Sequence, residues 1–282
     1  MTAPSTRPDT LLAQHPLVLI PDFMSDARIF EPVTRVLSRH LPVMVTPCPD
    51  GARVEEVAAV LLRQLPERFT LAGVGLGGSV AAAILDRAPD RVLGIALIAA
   101  SPLAETPAKA AEREPWIMRA RAGRLRGVMQ EVCPAHALAP GPLRAQVMQR
   151  QADMAEDLGA ELFVTQSRML QRRGDLQAVL RRAVQPGLVI CGLHDTIIPV
   201  RRQLFTAELM RQAKIEMIED AGHLPLLEQP DRVTAILWHW LRETEAMGRQ
   251  VEEEVQEIPL HWPVMQRIAA RRARGATIQR SA

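Results

Sequence analysis

Short apolar runs alternate with amphipathic segments through the first hundred residues. PLVLI (16–20), PVMVT (42–46), FTLAG (69–73) and RVLGIALIAA (91–100) are bounded by Pro, Gly and Asp, which predicts buried parallel strands. Between them IFEPVTRVLSRHL, VEEVAAVLLRQL and GSVAAAILDRAP carry apolar residues at helical spacing. This β-α-β-α order predicts an α/β fold with a mostly parallel, doubly wound sheet. The block 104–184 is rich in Arg, Met and Ala, predicts helices and contains no convincing strand. Strand patterns return at GLVICG (187–192) and KIEMIED (214–220), each followed by a helix. The expected organisation is a core of 1–103 and 185–247, a helical insertion at 104–184, and a C-terminal extension at 248–282.

Composition narrows the function classes. The 282 residues, 48% hydrophobic, can bury a sizeable core, and a net charge of +2 is too mild to imply nucleic acid. No apolar run approaches the roughly 18 residues of a membrane span, and the N-terminus lacks the pattern of a signal peptide, so a cytoplasmic location is expected. Cys48, Cys133 and Cys191 are widely spaced and odd in number, which argues for neither a disulfide framework nor a zinc site. No metal or cofactor is expected. The extension ends in a basic tail, with Arg267, Arg271, Arg272, Arg274 and Arg280, and Val264, Met265 and Ile268 at helical spacing; it is read as a solvated tail or a docking segment for a protein partner or an anionic membrane surface.

The stretch LAGVGLGGSVAAAI (71–84) fits two motifs. Gly73, Gly75 and Gly78 spell G-x-G-x-x-G, but a dinucleotide site needs an acid at the end of the next strand, which here reads IALIAAS. The alternative is a strand-turn-helix elbow with glycine at its centre.

Four stretches, in order, support the elbow: LVLIPDFMSDARIFEPV, LAGVGLGGSVAAAILDRAPDRVLGIALIAAS, GLVICGLHDTIIPV and IEDAGHLPLLEQPDRV. With them the chain resembles the α/β-hydrolase superfamily, close to small bacterial esterase-like or peptidase-like enzymes with a helical cap over the site. The resemblance implies an α/β-hydrolase fold with a helical cap insertion, Asp195 as triad acid and His223 as triad base. It places Gly75 where the family has its nucleophilic serine, and it assigns the oxyanion hole to the backbone N–H groups of Phe23 and Leu76. Ser79, four residues on, is expected to point away from the sheet edge and pack its helix.

A second departure is Asp22, where the family usually has glycine. Turned inward at about 4 Å, its carboxylate would oppose a developing oxyanion by roughly 4 kcal/mol at an effective dielectric of about 20; turned outward, as loop Asp residues commonly are, it is harmless.

Three readings follow. The chain is a pseudoenzyme of serine esterase descent that binds a small molecule or a partner; non-enzymatic hydrolase-fold proteins resembling the N-myc downstream-regulated type also have a G-x-G-x-G elbow. Alternatively, it is an enzyme in which the His223 and Asp195 pair activates water or substrate without a covalent acyl-enzyme. The third reading takes the glycine as a deliberate replacement of serine, and Asp22 weighs against it, because one substitution does not explain two departures.

Overall fold

The computed structural model describes residues 15–257. Six parallel strands, β1 (Leu17–Ile20), β2 (Val43–Val45), β3 (Phe69–Val74), β4 (Val92–Ile98), β5 (Gly187–Gly192) and β6 (Ala213–Ile218), form one sheet in the order β2-β1-β3-β4-β5-β6. Each begins and ends within two residues of the run that predicts it. β1, β3 and β5 are buried along their whole length, as strands covered on both faces must be.

The period of two along each strand divides the core in two. Leu17, Leu19, Ala72, Val74, Ala96 and Ile98 face a cluster built with α1 (Glu31–Leu37) and the first turns of α10 (Pro230–Glu257), including Val33, Leu37, Val233 and Leu237. Val18, Ile20, Leu71, Ile95 and Leu97 face the other cluster, built with α2 (Val54–Leu62) and α3 (Leu76–Arg87). α2 shows why it docks there: Val54, Val57, Ala58 and Leu61, its buried residues, recur at helical spacing. Trp240 is buried on α10, whereas Trp238 is half-exposed and meets the His40 ring edge-on at 4.7 Å.

Between β4 and β5 the chain leaves the sheet for α4 (Pro107–Arg121), α5 (Leu125–Val132), α6 (Arg144–Arg172) and α7 (Gln177–Arg182). α6 is kinked at Gly159. This insertion is the helical cap. Leu125, Met129, Met154 and Met169 are buried in its packing, and Met118 faces solvent. α8 (Val200–Leu209) packs on β5, and α9 (Pro225–Glu228) follows β6.

The backbone groups into two compact units, Met1–Thr244 and Glu245–Ala282. The basic tail and the N-terminal fourteen residues lie outside the described residues. Among the described residues no helix is long and apolar enough to cross a membrane.

Candidate functional site

Parallel strands deliver their loops to one edge, and here the carboxyl ends of β1, β3, β5 and β6 carry Asp22, Gly75, Asp195 and His223. Gly75 is the single residue between β3 and α3, with φ 47° and ψ −109°, a conformation hostile to a side chain. Close approach of backbones shapes the same turn: a Cβ on Gly77 would lie 2.3 Å from the carbonyl oxygen of Ile20.

Asp195 is 4% exposed and fully engaged. Its Oδ1 accepts the backbone N–H groups of Ile197 and Ile198, both at 2.9 Å. Its Oδ2 accepts the Gln203 amide at 3.1 Å and lies 3.0 Å from His223 Nδ1. The acid is thereby fixed in place before it orients the imidazole, and Gln203, which the sequence reading passed over, is part of that support.

Of the two settings open to the loop after β1, the inward one is found. Asp22 turns inward and is 4% exposed. Its Oδ1 accepts the N–H of Phe23 at 2.6 Å and the N–H of Leu76 at 2.7 Å, the same two donors assigned above to an oxyanion. Its Oδ2 lies 3.6 Å from His223 Nε2. Two converging N–H dipoles at the start of a helix attract a negative charge, and a carboxylate of the chain itself supplies it. The absence of a side chain at residue 75 provides the room, because a Cβ there would sit 1.9 Å from Asp22 Oδ1.

His223, 7% exposed, is therefore flanked by two carboxylates. Burial works against a charge on the ring, but Asp195 and then Asp22 outweigh it and hold the imidazole pKa well above the usual histidine value. The two carboxylates thus favour the protonated ring.

Other groups brace the loops. Glu228, the glutamate of the AGHLPLLEQP stretch, receives the N–H groups of Gly222, Leu224 and Ala139 at 2.7–3.0 Å. The N–H of His223 itself donates to Ala137 O at 2.8 Å. From α6, Gln166 accepts the N–H of Met24 at 2.8 Å and donates to Pro49 O at 2.7 Å. Met24 and Ala99 are the non-glycine residues at positive φ among those described, at 49° and 47°, and both adjoin the site.

These residues open on a cavity of about 390 Å³ between cap and sheet, lined in part by Asp22, Phe23, Gly75, Leu76 and His223. Ser79 lines it too, contrary to the expectation of a packing residue, since the first turn of α3 faces the cavity. Cys133 borders the cavity, with burial pushing its thiol up to about 11. Cys191 is buried within β5, its thiol likewise pushed up to about 11 by burial. His136 lines the cavity from the cap, and His194 is exposed beside the acid.

Among curated proteins the chain is similar to two enzymes named as pimeloyl-[acyl-carrier protein] methyl ester esterases. That from Nitrosomonas europaea is 24% identical over 64% of this chain and 73% of its own length. The one from Aromatoleum aromaticum is 27% identical over 66% and 79%. Among solved structures, a thermophilic esterase from Thermogutta terrifontis aligns with TM-score 0.75 at 24% identity, covering 83% of this chain and 91% of that one. An enol-lactonase from Burkholderia xenovorans aligns at 0.72 with 20% identity, covering 80% and 91%. These structural likenesses concern the fold. The model of the alpha/beta hydrolase family matches residues 9–236, and with that span covering most of the chain, the protein belongs to the α/β-hydrolase family.

Proposed function

We propose that this chain, of serine-esterase descent, is a pseudoenzyme toward ester substrates and binds a small molecule in the cavity between cap and sheet. One observation carries the reading: the carboxylate of Asp22 engages the N–H groups of both Phe23 and Leu76, with Gly75 beneath it. In a serine hydrolase those donors wait for the oxygen of a tetrahedral intermediate, and residue 75 supplies the attacking hydroxyl. Here the hydroxyl is absent, and a substrate carbonyl would have to displace a negative charge held by two short hydrogen bonds. Loss of the nucleophile alone costs serine enzymes about a millionfold in turnover.

Activation of water by the His223 and Asp195 pair is less well supported. A general base must be unprotonated, whereas the carboxylates on either side of His223 favour the protonated ring.

The test is incubation of the purified protein with p-nitrophenyl hexanoate and with a fluorophosphonate probe, followed by mass spectrometry. No burst and no adduct are expected. A phosphonylated side chain beside His223, or a His223-dependent burst, overturns the reading.

A further inference from the structure

The cavity has a second charged region that the family triad does not use. Arg113, Arg173 and Arg202 line it together with Glu105, which Arg113 grips through Nε and Nη2. Arg173 is 9% exposed, and its Nη1 and Nη2 donate to the carbonyls of Ser101 and Leu103. Among the described residues no carboxylate lies within ion-pair distance of Arg173 or Arg202. Two donors stay buried and unpartnered, Nε of Arg173 and Nη1 of Arg113. Glu105 and Asp175 act on Arg173 only from beyond hydrogen-bond distance, and a buried guanidinium is costly unless an anion meets it directly.

Neighbouring acids offset this charge only in part. Of the other acids on the wall, Glu131 is held by Arg119 and Trp116 and Asp22 by its two N–H donors beside His223, while Glu112 faces the cavity from α4 and Asp175 acts on Arg173 from behind. The Arg113 guanidinium lies 5.4 Å over the Phe23 ring, which places this cationic end next to the β1 loop.

We propose that the Arg113, Arg173 and Arg202 end of the cavity is a carboxylate-binding subsite, so that the ligand is a small organic acid. Arg113 and Arg202 both lie near enough to Arg173 to act on its charge, and a guanidinium cluster of this kind suits a planar carboxylate. Trp116, Leu170, Ile197 and Ile198 line the same cavity and would cover the ligand's apolar body. This rests on the binding reading and specifies its ligand.

The experiment is calorimetric titration of the full chain with sodium hexanoate, 1-hexanol and hexyl phosphate. Hexanoate is expected to bind at least about tenfold more tightly than either comparator. Arg173→Gln removes the supports of Ser101 and Leu103 and can unfold the loop, so the decisive variant is Arg202→Gln at a half-exposed position. It is expected to weaken hexanoate about tenfold while leaving the melting temperature unchanged. Equal affinity for hexanoate and hexanol, tighter binding of hexyl phosphate, or hexanoate binding lost in His223→Gln but kept in Arg202→Gln overturns the subsite. A fluorophosphonate adduct instead sinks the pseudoenzyme reading, so the two failures are separable.

Discussion

Asp22 and Gly75 are interlocked: the Oδ1 atom of one lies 1.9 Å from where a Cβ of the other would be. Residue 75 cannot gain a side chain while Asp22 stays turned inward. Gly75→Ser alone is expected to leave the protein without esterase burst and to cost about 1–3 kcal/mol by overpacking and by forcing a positive φ on serine. Asp22→Gly combined with Gly75→Ser clears the two N–H donors and restores a hydroxyl. The double variant is expected to turn over p-nitrophenyl esters at least about a thousandfold faster than the parent, a fraction of what a complete triad supplies. Stopped-flow assays of both variants decide it, and a fast single variant would show that the interlock is absent.

The titration of His223 follows from its two carboxylates. Its pKa is raised in the folded state, so the ion pairs stabilise the fold fully below the unfolded histidine value of about 6.5, and that contribution is lost as pH rises through the elevated pKa. A ring-proton NMR titration is expected to show one histidine whose midpoint lies well above the usual histidine value of about 6.5. In Asp22→Asn that midpoint should fall, because one of the two charges is gone. A His223 midpoint at or below about 6.5 in the parent would contradict the geometry.

Glu228 gathers three backbone N–H groups from two separate segments. Glu228→Ala strands all three, at about 1–3 kcal/mol for each buried donor that finds no water, so a loss of about 3 kcal/mol or more is expected in urea denaturation. A loss below about 1 kcal/mol would mean that water replaces the carboxylate.

The thiols of Cys133 and Cys191 are pushed up to about 11 by burial, so at pH 8 only about one in a thousand of either is thiolate. Iodoacetamide is expected to leave both unmodified over an hour in the native protein and to label both in urea, as peptide mapping would show. Rapid native alkylation of Cys133 would mean that the cavity wall is more open than the structure has it.

Local pattern and distant packing explain what the sequence discloses and what it conceals. The strands are readable because β3 and β5 are continuous apolar runs between Gly and Asp. Asp195, His223 and the Gly75 turn stand out because each sits at a fixed offset from such a strand. The inward turn of Asp22 is not readable, because its rotamer depends on a missing Cβ 53 positions away and on an N–H from another element. Arg173 is hidden for a related reason: an arginine after a helix reads as solvated, and only packing against the Ser101 and Leu103 carbonyls buries it. Glu228 carries a signal within AGHLPLLEQP, but its third bond, to Ala139, reaches across 89 residues.

The cap holds this molecule together at its most sensitive loops. The amide of residue 223 finds its acceptor at Ala137, and that of Met24 at Gln166, so the cap completes the hydrogen bonding of two loops at the carboxyl edge of the sheet. A cap transplanted from a cousin would leave those amides facing a foreign surface. Inner-wall side chains can be exchanged without touching these two bonds, whereas replacing the whole roof would remove both acceptors.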